Sequence, residues 1–347
     1  MMDLTAAERW TPSPNGTLIT CIEAHTEGEP FRVVVDGFPT LEGDTILEKR
    51  RFAKTHYDHL RTALMWEPRG HADMYGCLIT EPVTPEADFG ILFMHNEGFS
   101  TMCGHGIIGI ATVALETGMI DAAPPETTLR IDTPAGLVTA VAEIEGRRVR
   151  RVRFTNVPSF VAASGEEIDV PALGRIRYDL AFGGAYYAFV DVAQVGQRCQ
   201  PEAANELIQA GMAIKRAIMQ TRPIQHPGAG DLGFLYGTIF IDRPSSPELH
   251  SRNVCIFAEG EVDRCPTGTG VSARLAIHHA RGELEVGQLI EIESILGTRF
   301  GGRVLEITHV GEIPAVVPEV SGTAHITGRS TFVISDDDPL RDGFILR

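Results

Sequence analysis

A cysteine stands directly before a glycine-rich stretch in Met102-Cys103-Gly104-His105-Gly106-Ile107-Ile108-Gly109. The first turn of a helix leaves four backbone N–H groups without an internal partner and carries the positive end of the helix dipole. Both favour a thiolate and a bound anion. A partial echo lies downstream in Asp263-Arg264-Cys265-Pro266-Thr267-Gly268-Thr269-Gly270. Laying Cys103 on Thr267 puts Gly104 on Gly268, Gly106 on Gly270 and Ile107 on Val271. A closing glycine, Gly118 or Gly282, follows fifteen residues after each start. Each segment therefore predicts a helix of about three to four turns ending on a glycine in the left-handed region.

A thiolate at such a start is a competent base towards a carbon acid, provided the helix ends hold the adjacent carboxylate and stabilise the charge that develops on it. Two opposed starts can hold one carboxylate between them and set a side chain on either face of its α-carbon. Cys103 and Thr267 are then the facing pair. Attack of Cys103 on a carbonyl is the other chemistry open to a thiol, but no residue order identifies its partners. The stretches also satisfy GxGxxG and GxGxxA. A dinucleotide site is disfavoured because the first does not sit early in a βαβ series and no acidic residue ends a strand about twenty positions later. Twelve histidines raise the question of a metal, yet no HExxH or tight His/Cys/Asp cluster occurs in the sequence. His278-His279 are expected on different faces of their helix.

The elements that must position these residues follow from patterning. Ile107, Ile108, Ile110, Ala111, Val113, Ala114 and Leu115 surround the first helix on every side, which predicts a buried axis with strands around it. The second helix reads as more one-sided, with Arg274, His278 and His279 for a polar face. Ile19–Val35 predicts two strands around the polar knot His25-Thr26-Glu27-Gly28-Glu29-Pro30, which is either a site wall or a solvent-facing turn. Residues 44–65 predict one or two helices, and 201–220 another. Short strands are predicted at 76–80, 89–95, 128–133, 137–144, 150–157, 185–192 and 237–241. With 347 residues two domains are expected, with a boundary near residue 150.

Forty-six acidic against thirty basic residues give a net charge of −16, which argues against nucleic acid and anionic membranes as partners. Six scattered cysteines without a CxxC, and a start lacking a basic and apolar leader, lead us to expect a reducing, cytoplasmic home. A homodimer is the expectation for the assembly.

The motifs resemble those of the proline racemase family. The resemblance covers most of the chain and rests on 25–30, on Glu67-Pro68-Arg69-Gly70-His71-Ala72-Asp73-Met74, on the two glycine stretches and on Gly297-Thr298-Arg299-Phe300. It implies an α/β (α+β) fold of the diaminopimelate-epimerase type. In that fold two similar domains each wrap strands around a central helix, and the active site lies in the cleft between them. Residues 1–150 with 331–347 would form the domain carrying Cys103, and 151–330 the domain carrying Thr267. The family's racemases and epimerases use two cysteines. This chain has Thr267 at the second position and Cys265 two residues earlier, where the family usually has serine.

A Cys/Thr pair implies a dehydratase of trans-3-hydroxy-L-proline that uses neither pyridoxal phosphate nor a metal. By the same resemblance the backbone amides of Gly104, His105, Gly268 and Thr269 would bind the substrate carboxylate, and Asp263 its ring ammonium. Two rivals remain: an epimerase or racemase using Cys265 as second acid/base, and an amino-acid-binding protein without turnover.

Overall fold

The computed structural model describes residues 2–8, 10–11, 15–228 and 230–346. The protein is mixed α/β and strand-rich, with eighteen strands hydrogen-bonded into one continuous sheet. The two glycine stretches open the helices Gly104–Glu116 and Gly268–Ala280, and Gly118 and Gly282 follow their ends with φ of +76° and +69°.

The echo extends well beyond the motifs. Strand Phe89–His95 runs parallel to Glu126–Thr133, and the first glycine-led helix makes the crossover between them. Ser251–Phe257 runs parallel to Ile290–Glu293, and the second helix makes that crossover. One step earlier in each half, Glu29–Asp36 is parallel to Tyr75–Thr80 across the helices Ile46–His56 and Asp58–Met65. Correspondingly, Tyr186–Asp191 is parallel to Leu235–Asp242 across the helix Ala204–Thr221. Parallel pairing demands such crossovers, so each half is built from the same two units.

Helix Gly104–Glu116 is buried from Gly104 to Leu115, as an all-round apolar segment requires. It packs on Thr17–Thr26, Glu29–Asp36, Gly136–Glu145, Arg148–Thr155 and Ala324–Ile334. Helix Gly268–Ala280 packs on Ser159–Val170, Gly174–Phe182, Arg299–Val310 and Ile313–Gly322. Its predicted polar face is not exposed. Arg274 is buried and donates to Ser251 Oγ, Asn253 Oδ1 and His278 Nε2, and His278 is buried too. Hydrogen bonds inside the molecule replace the water that the sequence pattern suggested.

The last long strand, Ala324–Ile334, pairs antiparallel with Thr17–Thr26 over its length, so the chain's end returns to its beginning. Strand Ile313–Gly322 joins the halves, pairing with Arg299–Val310 and also with Arg148–Thr155 and Ser159–Val170. No helix among the described residues is long and apolar enough to cross a membrane.

Candidate active site

The two helix starts meet glycine against glycine. A Cβ on Gly104 would lie 2.6 Å from Gly268 Cα, and one on Gly268 would lie 2.7 Å from Gly104 Cα. Only residues without a side chain allow that approach. It brings two sets of first-turn amides to one point, each without an intrahelical carbonyl to bond.

All seven residues singled out from the sequence line one small pocket there: Cys103, Gly104, His105, Asp263, Thr267, Gly268 and Thr269. Six more complete the wall, namely Tyr75, Met102, Tyr187, Tyr236, Cys255 and Phe257. Met102 stands beside Cys103 in the first glycine motif without having been assigned a role; the other five were missed because they come from strands outside the glycine motifs. A larger surface groove runs past Val34–Leu41, Leu78–Glu81 and Met119, but no cysteine or histidine lines it. The reactive groups converge on the smaller pocket.

Cys103 caps the first helix. Its backbone is extended (φ −145°, ψ 112°), and its Sγ accepts the N–H of Gly106 at 3.2 Å. His105 Nδ1 lies 3.2 Å from the same sulfur. The amide and the helix dipole favour thiolate, but burial dominates and holds the thiol well above its usual pKa, with the Asp263 and Glu29 charges adding to the rise. Burial thus opposes the thiolate that the helix start favours. Burial drives His105 down to about 3, which favours the neutral imidazole near pH 7, a ring that keeps one N–H for hydrogen bonding.

Thr267 begins the second helix differently. Its φ is +67°, an unusual conformation for a β-branched residue, and its side chain caps nothing. Surrounding bonds hold it there. Thr267 Oγ1 donates to Asp263 Oδ2 at 2.8 Å, Thr267 N donates to Cys265 Sγ at 3.3 Å, and Asn253 Nδ2 donates to the Pro266 carbonyl at 3.3 Å. Cys265 is wholly buried and does not line the pocket. Cys255 does line it, near Thr267, with its thiol pushed up first by burial and then by Asp263.

The polar knot at 25–30 turns inward, so the solvent-facing reading is discarded. Thr26 Oγ1 donates to the His105 carbonyl at 2.8 Å, and Glu29 Oε2 accepts the Arg264 N–H at 2.6 Å. The knot thus ties both helix starts together. Burial and then the neighbouring Asp263 raise Glu29 well above the usual carboxylate range. Asp263 is raised as well, burial outweighing the hydrogen bonds from Cys265 and Thr267. Arg264 supplies the local positive charge and pairs with Asp73 at 2.9 Å, which brings the Glu67–Met74 motif to the site. Among the described residues, one group of three or more potential metal ligands is close enough to share an ion: His105, Asp263 and Cys265, with ligand atoms within 4.8 Å of one another.

The proline racemase family model matches residues 21–345, and the chain belongs to that family. It is 45% identical over 343 residues, 98% of this chain and 97% of the relative, to a trans-3-hydroxy-L-proline dehydratase of Colwellia psychrerythraea. It is also 45% identical to a 3-hydroxyproline 2-epimerase of Burkholderia multivorans, over 95% of this chain and 98% of that one. Among solved structures it resembles a hydroxyproline epimerase from Agrobacterium vitis with bound trans-4-hydroxy-L-proline. The TM-score is 0.90 at 34% identity, over 95% of this chain and 96% of that one.

Proposed function

We propose that the protein is a hydro-lyase that dehydrates trans-3-hydroxy-L-proline to Δ1-pyrroline-2-carboxylate and water, with Cys103 as the base. The observation that carries this reading is the asymmetry of the pocket. One helix start presents a thiol, and the other presents a threonine whose proton is bound to a carboxylate. The name of the Colwellia relative supports it.

The substrate carboxylate lies between the amides of Gly104 and His105 on one side and those of Gly268 and Thr269 on the other, and Asp263 takes the ring ammonium. That ammonium offsets the negative charge that helps hold Cys103 protonated, so binding favours the thiolate. In the trans substrate the α-hydrogen and the hydroxyl share a ring face. Cys103 removes the α-proton while the first-turn amides stabilise the charge moving onto the carboxylate. The same thiol then protonates the departing oxygen, and the enamine tautomerises to the pyrroline. No acid is needed on the Thr267 face, which suppresses racemisation. The low pKa of His105 makes an imidazolium scarce, so this reading gives the acid role to Cys103.

The pocket is read as the cleft between two similar domains of the diaminopimelate-epimerase type, each wrapped around a glycine-led helix. The division is 1–150 with 331–347 against 151–330; its outermost residues, Met1 and Arg347, lie outside the described residues. The pairing of Ala324–Ile334 with Thr17–Thr26, which runs the length of both strands with one register shift at Glu23/Ala24, supports moving the return point to Thr323. The test is incubation with trans-3-hydroxy-L-proline and with 4-hydroxy-L-proline. Pyrroline from the first and no epimer from the second is the expected result; epimerisation without pyrroline refutes the reading.

A further inference from the structure

Three phenols line the pocket: Tyr75, Tyr187 and Tyr236. Two of their hydroxyls are committed to neighbours. Tyr75 Oη shares a hydrogen bond of 2.5 Å with Ser100 Oγ, and Tyr187 Oη shares one of 2.7 Å with Thr269 Oγ1. Tyr236 Oη is sealed from solvent and makes no hydrogen bond of normal geometry, although the Tyr75 hydroxyl, itself bonded to Ser100, lies close enough to influence it. Among the described residues, other buried side-chain atoms without a partner belong to Glu29, Arg252, Glu261 and Arg303, none of which lines the pocket. A buried hydroxyl without a partner is unfavourable until something arrives to bond it.

The Tyr236 ring is held in place from several sides. It stacks on Phe257 with centroids 5.4 Å apart and meets Tyr187 and His95 edge-on at 5.9 and 6.0 Å. Its surroundings differ from those of Tyr187. Burial first, and then Tyr75, Glu261 and Cys103, keep the Tyr236 proton in place. Tyr187 instead turns its hydroxyl onto Thr269 of the second helix start. Tyr236 shares two neighbours, His95 and Phe257, with Tyr75, whose ring meets that of His105 edge-on at 4.6 Å, and this places Tyr236 on the Cys103 side of the pocket.

We propose that Tyr236 is the specificity-determining residue for the ring hydroxyl, its O–H donating to the 3-hydroxyl oxygen on the face where Cys103 takes the α-proton. The assignment rests on the dehydratase reading and deepens it. The Cα–H proton passes to the Cys103 sulfur, and the electron pair left behind forms the Cα–C3 double bond. The C3–O bond breaks, its pair leaving with the oxygen, which takes the proton from Cys103 and departs as water. Tyr236 keeps its own proton throughout. Its bond strengthens as charge grows on the leaving oxygen, so it discriminates in turnover as well as in binding.

Calorimetric titration in a Cys103→Ser background separates recognition from turnover. There, trans-3-hydroxy-L-proline is expected to bind about tenfold or more tighter than L-proline, because a site built to bond a hydroxyl rejects a ligand without one. The cis-3-hydroxy isomer, whose hydroxyl lies on the other face, should bind no tighter than L-proline. Adding Tyr236→Phe should erase the preference and leave L-proline affinity within about twofold. In otherwise native enzyme, Tyr236→Phe should lower kcat/KM for the trans substrate by about 10- to 100-fold. A preference that survives Tyr236→Phe, an equal loss of both ligands, or equal binding of the cis and trans isomers by the Cys103→Ser protein overturns the assignment. If native enzyme makes no pyrroline, the dehydratase reading fails instead, and the binding comparison still stands or falls by itself.

Discussion

The two glycine-led helix starts share a framework and differ in the residue placed before it. Cys103 sits in extended backbone and turns its sulfur onto the helix, where the Gly106 amide meets it. Thr267 sits at φ +67° and turns its hydroxyl away from the helix, onto Asp263. The first arrangement leaves a sulfur that can gain and lose a proton. The second binds the only proton of its hydroxyl to a carboxylate, donates its backbone N–H to Cys265 Sγ, and follows a Pro266 carbonyl held by Asn253. On the proposed reading, one repeated unit yields a reacting face and a holding face, through backbone conformation as much as through residue type.

Removing the reacting face has the largest expected effect. Cys103→Ser should lower pyrroline formation by about a thousandfold or more and abolish exchange of the α-hydrogen in heavy water, since general-base contributions are of about that size. Retained exchange would take Cys103 out of the role of base. Thr267→Cys approaches the comparison from the other side. It restores a proton donor on the second face and should produce measurable epimer, seen by chiral chromatography, where the native protein gives none. If the variant folds, keeps its dehydratase activity and yields no epimer, facing geometry alone does not decide the outcome.

An intermediate effect is expected from pH. Burial raises the Cys103 thiol well above its ordinary value, so the basic form is scarce near neutrality and grows as pH rises. The kcat/KM should therefore climb from pH 7 towards pH 9, approaching about tenfold per unit where thiolate is the minor form. His105, held at about 3, should contribute no step in that range. A profile flat from 7 to 9 would mean that the thiolate is already formed in the free enzyme.

The pocket residues at the two helix starts were legible in the sequence because they are local. A cysteine or threonine before GxG, a closing glycine and an all-apolar helix each lie within a few turns of chain. The groups that converge from afar were not. Nothing in the spacing of Tyr75, Tyr187, Tyr236 or Phe257 shows that four strands deliver them to one pocket. Glu29 belonged to a recognised motif, yet composition could not distinguish a buried tie to Arg264 from an exposed turn. Arg274 read as a solvent residue because its partners, Ser251 and Asn253, lie on another strand. In the fold, the three long strands Arg299–Val310, Ile313–Gly322 and Ala324–Ile334 escaped detection. Gly301-Gly302, Pro314 and Pro318 interrupt the alternation that marks a strand, and tertiary pairing overrides them.

The smallest effect is expected where the rival reading needs a large one. If Cys265 were the second acid/base, Cys265→Ser would remove it and lower turnover by about a hundredfold or more. The structure gives Cys265 a different task, accepting the Thr267 N–H behind the pocket wall. A serine hydroxyl can accept the same N–H in the same place, at a stability cost of about 1 kcal/mol for burying a more polar group. Turnover of trans-3-hydroxy-L-proline by Cys265→Ser should therefore stay within about threefold of native, the product should remain pyrroline, and thermal unfolding should shift down by only a few degrees. A collapse of turnover with an intact fold would move the second catalytic group from Thr267 to Cys265. The two helix starts would then be two reacting faces after all.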